Sequence, residues 1–487
     1  MQVACDDNKG AGMGFAISRR GQSAQALQVS RIADELIALL GEAAVVRTPI
    51  GRMLFRGDGG VVVEDPPAAV VMPGDEQALA KAMRFCNQHG IDVVPRGGAT
   101  SMRGGAIGGA ESVIIATSRL SWVGEVHRRD RMVEAEAGAM LTAIDQAAAR
   151  ERLRLGVGPR VGSPATLGGG FAKAVCGPGA GTRGTIAARV EALRLILADG
   201  EAVELHDGKA ALGGYDLAGL IAGSEGVLGI ISKATIRLEP RPDACTLIVA
   251  RFAAVDAAVA AAMALDSRSW PVSALDVAAG RLFDGTSVFA DGPGGGPDGS
   301  GDALVLVEIE GYTDEVALAV ADLLEQLSQQ GATGCEEISD DARRRLAWEA
   351  FDGAPARLSR GHIAGMSDFT VPPAALSDAV RAVDEIAQRH GLEAPTCVRA
   401  GAGAIQSVFL APGDAADGAS RVQAAINEAV SMATASGGLA TGSFGGGVLK
   451  TASPGYGGLS AADMAMQLAV KAVFDGGGIL NRGKVVA

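Results

Sequence analysis

Residues 95–106 read Pro-Arg-Gly-Gly-Ala-Thr-Ser-Met-Arg-Gly-Gly-Ala, directly after the short apolar run IDVVP. Four glycines placed after a buried strand let backbone N–H groups converge without obstruction by Cβ atoms. Such nests bind anions, and Thr100 and Ser101 add hydroxyl donors, so a diphosphate is the natural occupant. The dinucleotide fingerprint GxGxxG is not what this stretch spells, and no amphipathic helix begins inside it. Taken alone, the stretch reads equally well as a plain glycine-rich turn.

Two further stretches favour the anion reading. GPRVGSPATLGGGFA (158–172) offers Pro159, Ser163, Thr166 and the paired Gly168 and Gly169. GSEGVLGIISKATIRL (223–238) carries Glu225, Gly226, Gly229 and Ile230 at the head of a β-rich run. Three glycine loops at strand ends in one domain can line an elongated groove. Glu225 itself reads as a hydrogen-bonded turn residue rather than an acid catalyst.

The elements that must hold these loops alternate. VVVED and AAVVMPG read as strands, and DEQALAKAMRFCNQHG has helical spacing with a terminal glycine. SVIIAT and MVEAEAG read as strands, LTAIDQAAARER as a helix, and ALRLILADGEAVEL as a hairpin turning at Asp199-Gly200. GIISKATIRL closes this region. From about Ala244 the order strand then helix recurs three times: CTLIVARF with DAAVAAAMAL, ALVLVEIEG with TDEVALAVADLLEQLSQQG, and SDFTVP with ALSDAVRAVDEIAQRHG. Three such units with antiparallel-style loops predict an α+β, ferredoxin-like cap rather than a doubly wound sheet. DGPGGGPDGSGD (291–302) reads as a surface loop, and FDGGGILNRGKVVA as a docked tail.

The bulk properties bound the function. The chain has 487 residues, enough for two or three domains, with 48% hydrophobic and 20% charged residues. A formal charge of −13 disfavours nucleic acid as a partner. Six scattered cysteines without a CxxC pair speak against an iron–sulfur centre or a zinc knuckle, and for a reduced, cytoplasmic setting. The stretch MQVACDDNKGAGMGFAISRR lacks the features of a signal peptide. The most apolar stretch, Thr246 to Leu265, is interrupted by Arg251 and Asp256, so no transmembrane segment is expected, and at most a peripheral place at the inner face of a membrane.

The Pro-Arg-Gly-Gly loop, the Thr-x-Gly-Gly turn at Thr166, the strand ending in LADG, YDLAGLIAGSEGVLGI and the closing NRGK together resemble a flavoprotein family. It is the family with the FAD-binding fold of vanillyl-alcohol oxidase and p-cresol methylhydroxylase, and within it the glycolate oxidase flavin subunit and the D-lactate and D-2-hydroxyglutarate dehydrogenases. The resemblance implies a two-subdomain FAD-binding domain over residues 1–241 with its core at 62–241. A substrate or cap domain at 242–440 and a C-terminal segment at 441–487 that docks near the flavin complete the expected chain. It implies FAD contacts from Pro95, Arg96, Gly97, Gly98, Ala99, Thr100, Ser101, Gly104, Gly105, Pro159, Ser163, Thr166, Gly168, Gly169, Glu225, Gly226, Gly229, Ile230 and Asn481. Several relatives attach flavin through a histidine in the first loop. None stands here through Gly105, so non-covalent FAD is expected. Family members often carry Asn where this chain has Gly170 and Ala174.

The same resemblance marks what has been replaced. Members of this branch carry His-x-Gly-Asp-Gly-Asn-x-His where residues 399–406 read RAGAGAIQ. Arg399 and Gln406 thus occupy the positions of two metal-binding histidines, and Ala402 and Ala404 replace Asp and Asn. The later Glu-His-Gly becomes Ser443-Phe444-Gly445, and an arginine three residues after the cap tryptophan becomes Phe351 after Trp348. Guanidinium stays charged and an amide oxygen binds metal weakly, while a phenyl ring accepts no proton. No metal is therefore expected, and the standard metal-dependent 2-hydroxyacid chemistry is expected to be lost.

Two catalytic candidates remain. His362 lies in the cap stretch RLSRGHIAGMSDF, where family members meet substrate, against the reading of a plain loop histidine. Arg399 could hold an anion or the reduced flavin, or pair with a nearby carboxylate. His89, His127, His206 and His390 read as solvated surface residues, and Tyr215 as structural. Three functions fit: an FAD-binding subunit of a larger redox complex with a catalytic flavoprotein or iron–sulfur partner, a stand-alone flavoenzyme for a more apolar substrate working without metal, or a structural protein that has lost FAD.

Overall fold

A computed structural model describes residues 22–157, 163–177, 179–206, 214–265, 270–280, 282–283, 303–440 and 460–485. The readings made for Pro159, Ser443, Phe444, the stretch 291–302 and the first twenty residues lie outside the described residues.

The first sheet has the strand order 45–46, 69–71, 113–116, 93–96, with the last three strands parallel. Its helix Glu76–His89 begins where the Asp75 carboxylate accepts the Ala78 N–H at 2.7 Å and ends at Gly90, φ 63°. Leu79, Ala82, Met83 and Cys86 recur at helical spacing and are buried against the sheet. The expected strand over VVVED does not form. Gly57 and Val62 share a single antiparallel bridge instead, because Asp58 accepts the N–H groups of Gly60 and Val61 and folds the segment into a turn.

The second sheet is antiparallel, in the order 132–136, 230–237, 190–196, 202–206, and the hairpin at Asp199-Gly200 is present. The third is a seven-stranded antiparallel sheet in the order 334–338, 244–252, 303–311, 272–279, 396–399, 404–412, 362–370. All three strand–helix units lie in this sheet, which the α+β reading anticipated. The strand beginning at His362 is longer than SDFTVP, and the additional strands come from stretches without a flanking helix signal.

Alternation gives the large sheet two different faces. Ile248, Phe252, Val305, Val307, Val398, Ile405 and Phe409 pack under the helices Val255–Ala264, Thr313–Gln329, Leu376–Arg389 and Gly418–Ala435. Leu247, Leu304, Ala278, Cys397, Val408 and Leu410 point the other way, toward Trp348 and Phe351 of the helix Asp341–Asp352. This second face turns toward the glycine loops. A Cβ on Gly181 would lie 2.7 Å from the Gly401 backbone, and Arg154 bonds Glu310 across the junction. The tail docks as read from the sequence: the Val93 N–H donates to Ile479 O and the Asn481 N–H to Val93 O, each at 2.8 Å.

Candidate flavin site

The first glycine loop leaves the strand Val93–Arg96 at the carboxyl end of a parallel pair, where α/β sheets open a crevice. Gly97 and Gly98 are required by contact rather than by torsion. A Cβ on Gly97 would overlap the Thr166 hydroxyl, and one on Gly98 would overlap the Pro164 carbonyl oxygen. The second loop therefore lies directly on the first. Ala99 and Glu225 both take left-handed backbone angles, φ 54° and 51°, which costs about 1 kcal/mol per non-glycine residue.

Main-chain carbonyls of these loops are held from behind. The Lys484 amine donates to Gly105 O at 3.0 Å, Ile107 O at 2.7 Å and Asn481 Oδ1 at 3.0 Å. The Asn481 amide donates to Glu225 O at 2.6 Å. Burial draws the Lys484 amine down to about 8, against the upward pull of Asp58 and Glu225. Arg96 serves the same purpose: its guanidinium donates to Gly57 O and Ala106 O and stacks 5.3 Å over Phe55.

The loops enclose a cavity of about 540 Å³ that runs from the glycine nest to the cap sheet. Pro95 through Ser101, Gly105, Ser163, Thr166, Gly168, Gly169, Glu225, Gly226, Gly229 and Ile230 all line it. Gly104, with φ 77°, is not part of the wall, and Asn481 acts from behind it. Among the described residues, the N–H groups of Gly98, Ala99 and Thr100 meet no acceptor, and the buried Thr166 hydroxyl has no partner. Unspent donors beside a nest fit the diphosphate of FAD. No histidine lines the cavity among the described residues, so the site offers no imidazole for a covalent flavin link.

The cap closes the other end through strand register. Arg399 stands opposite Asp276, Cys397 opposite Gln406, and Gln406 opposite Asp368, which puts these side chains on one face. Arg399 bonds Asp276 at 3.2 Å and Asp352 at 2.7 Å and lies 5.5 Å over the Phe351 ring. Burial alone would lower its guanidinium; the two carboxylates outweigh that and hold it well above the usual arginine value. Gln406 lines the cavity, its amide nitrogen 3.4 Å from Asp368. Phe351 meets Trp348 edge-on at 5.7 Å, and the Trp348 N–H donates to the fully buried Glu308 at 2.8 Å.

His362 does not reach this end. It begins the strand that carries Asp368, six residues away, or roughly 20 Å at about 3.3 Å per residue. It is exposed, with Nδ1 3.1 Å from Arg360 O. The other four histidines also lie outside the cavity wall.

Among the described residues one cluster has metal-ligand chemistry: Cys245, Glu308 and Glu310. Its carboxylates are already engaged. Glu310 pairs with Arg154 and Arg183, and Glu308 accepts from Ser273 and Trp348 with Arg344 at 3.7 Å. Sequence reasoning overlooked Asp276 and Asp352, which lie 123 and 47 positions from Arg399 and share no local pattern with it. It also overlooked Lys173, a cation in the cavity wall three residues after Gly170.

Residues 67–206 match the FAD binding domain family, and residues 241–485 match the C-terminal domain of FAD linked oxidases. The chain belongs to the FAD-linked oxidase family. As a member it is an FAD-dependent oxidoreductase by family, with non-covalent FAD as cofactor. It has the two-domain p-cresol methylhydroxylase-type architecture with an α+β cap. This FAD-linked oxidase is 25% identical to the glycolate oxidase subunit GlcD of Bacillus subtilis (strain 168) over 94% of this chain and 97% of that one. It is 28% identical to a D-lactate dehydrogenase of Archaeoglobus fulgidus over 86% of this chain and 91% of that one. Among solved structures, 4-ethylphenol oxidase from Gulosibacter chungangensis superposes with a TM-score of 0.75 at 15% identity, covering 97% of this chain and 98% of that one. p-Cresol methylhydroxylase gives 0.74 at 14% identity, over 94% and 96%. These two show the shared fold. No described helix is long and apolar enough to cross a membrane.

Proposed function

We propose that this chain is a stand-alone flavoenzyme that oxidises a substrate more apolar than a 2-hydroxy acid, without a metal. The observation that carries this reading is the wall facing the glycine loops. Leu282, Phe351 and Val408 form its apolar part, and among the described residues its one cap-sheet cation, Arg399, is neutralised by Asp276 and Asp352. A guanidinium already shared by two carboxylates gains little from a third, so the wall is poorly suited to seat a small carboxylate. Bound FAD supplies a two-electron acceptor, and the described wall supplies an apolar seat that excludes water. Proteins of the same fold include one named as an oxidase of 4-ethylphenol. In this reading the chain divides near residues 241 and 440, and it works in the cytoplasm, where reduced cysteines persist.

A second reading, a subunit of a larger redox complex, draws support from the relatives named as a glycolate oxidase subunit. One experiment separates the two. The purified chain, alone and anaerobic, is offered benzyl alcohol, 4-ethylphenol, D-lactate and glycolate while the flavin colour is followed. Bleaching by one of the first two, unchanged by a chelator, is the expected result. Bleaching by D-lactate or glycolate that a chelator abolishes overturns the proposal.

A further inference from the structure

Gln406 sits on the strand Ala404–Pro412, which is paired on both sides, with Cys397 opposite it on one neighbour and Asp368 on the other. Its backbone is thus fixed inside the sheet, and the residue is buried. It nevertheless lines the cavity, two residues before Val408 on the same face. The side-chain amide has a nitrogen and an oxygen to place, and its neighbour decides which goes where. Asp368 Oδ1 lies 3.4 Å from Nε2, and a carboxylate accepts hydrogen bonds but donates none. The nitrogen is held toward Asp368 and the oxygen is left over. Among the described residues Oε1 meets no donor, and its neighbours do not seal it in, so it opens into the cavity that the residue lines.

We infer that Gln406 Oε1 determines specificity by accepting a hydrogen bond from the O–H group of an apolar alcohol seated against Leu282, Phe351 and Val408. The inference rests on the metal-free flavoenzyme reading above and narrows its substrate class, from apolar compounds in general to apolar compounds that carry a donor. An acceptor in an apolar wall is costly to leave unmet once a ligand has displaced water. A hydroxyl meets it; a methyl group, a fluorine or a carbonyl in the same place does not. A site built around such a bond rejects an analogue without the donor more strongly than an apolar pocket rejects a change of shape. By the same chemistry the seat holds an alcohol in preference to the corresponding carbonyl compound, which brings a second acceptor.

The other polar groups at this end have different tasks. Arg399 is shared between Asp276 and Asp352, which occupies Asp352 as well. Lys173, Cys176 and Glu225 also line the cavity, and each already has a partner within the protein. Glu349 is exposed to solvent. Burial pushes the Cys397 thiol well up, which keeps it protonated and a weak donor.

The test uses the FAD-loaded full chain and three ligands without a carbinol carbon to oxidise. Phenol carries the donor; toluene and fluorobenzene match its shape without one. Dissociation constants are read from the change in flavin absorbance. Gln406→Met keeps the volume and removes the acceptor. It is expected to weaken phenol by about fivefold or more, to leave toluene unchanged or tighter, and to keep the wild-type flavin content. Equal loss for phenol and toluene, or no loss for phenol, overturns the inference. A second arm needs no variant and decides the matter if Gln406→Met fails to fold or to hold flavin. In it, phenol binds the wild type more tightly than fluorobenzene does. Fluorobenzene binding as tightly as phenol overturns the inference and leaves the apolar seat intact. If none of the three ligands perturbs the wild-type flavin, the functional reading fails and this inference falls with it.

Discussion

Arg399 and Asp276 face each other across neighbouring antiparallel strands, 3.2 Å apart, in the middle of the sheet that closes the cavity. Asp352 completes the arrangement from the helix above. A position on the cavity face of the cap sheet is thus filled by a cation with two carboxylates of its own.

Breaking that arrangement on one side should be costly. Asp276 is 1% exposed and Arg399 8%. Asp276→Asn is expected to lower unfolding free energy by about 2–4 kcal/mol, since a buried charge loses a partner. The double variant Asp276→Asn with Arg399→Met should cost less than the single one. Urea unfolding of both checks this, and a double variant less stable than the single one would falsify the ion-pair account.

The contact between glycine loops predicts a loss of cofactor rather than of fold. Gly98→Ala places a methyl group on the Pro164 carbonyl oxygen and should part the two loops. The expected outcome is at least a tenfold weaker hold on FAD, read as flavin per chain after gel filtration, with the cap sheet still folded by circular dichroism. Full flavin occupancy in the variant would show that the loops separate at no cost.

Thr166 offers a finer probe because its hydroxyl is buried without a partner. Thr166→Val keeps the shape and removes the donor. If FAD accepts this hydrogen bond, its affinity falls by about 1 kcal/mol, roughly fivefold. The flavin-free protein should meanwhile lose no stability, because nothing is left unsatisfied. Equal FAD affinity in both proteins, by titration calorimetry, rejects the assignment.

Lys484 ties stability to pH. Its folded value of about 8 lies below the ordinary lysine value near 10.4. Between those values the unfolded chain binds more protons, so this residue's contribution to stability rises with pH and is least favourable below pH 8. Deprotonation leaves fewer N–H groups for its three oxygen partners, which trims the gain to an order of 2 kcal/mol. Melting temperatures of wild type and Lys484→Met should therefore diverge in the wild type's favour from pH 8 to 10. A constant difference, or one that shrinks with pH, counts against it.

Much of the frame is legible in the sequence. Leu79, Met83 and Cys86 at helical spacing between Asp75 and Gly90 specify a helix and both its ends. The three strand–helix units specify the cap because alternation and helical periodicity are local properties. VVVED misled for the same reason. Its apolar run is local, but Asp58 turns the preceding residues, and only the folded chain shows which influence prevails. His362 misled because a place in the cap stretch RLSRGHIAGMSDF says nothing about which end of a strand meets the cavity.

The sequence by itself determined the glycine-rich loop, the absence of histidine from it, and the placing of Arg399 and Gln406 at the two ends of RAGAGAIQ. Each of these is a matter of residue type at a fixed spacing. Tertiary structure alone decided that Arg399 is matched by Asp276 and Asp352, that Thr166 is left with an unspent hydroxyl, and that Lys173 opens into the cavity. The physical reason is that charge pairing, desolvation and unmet hydrogen bonds depend on which distant segments the sheets bring together. No periodicity along a single segment records that.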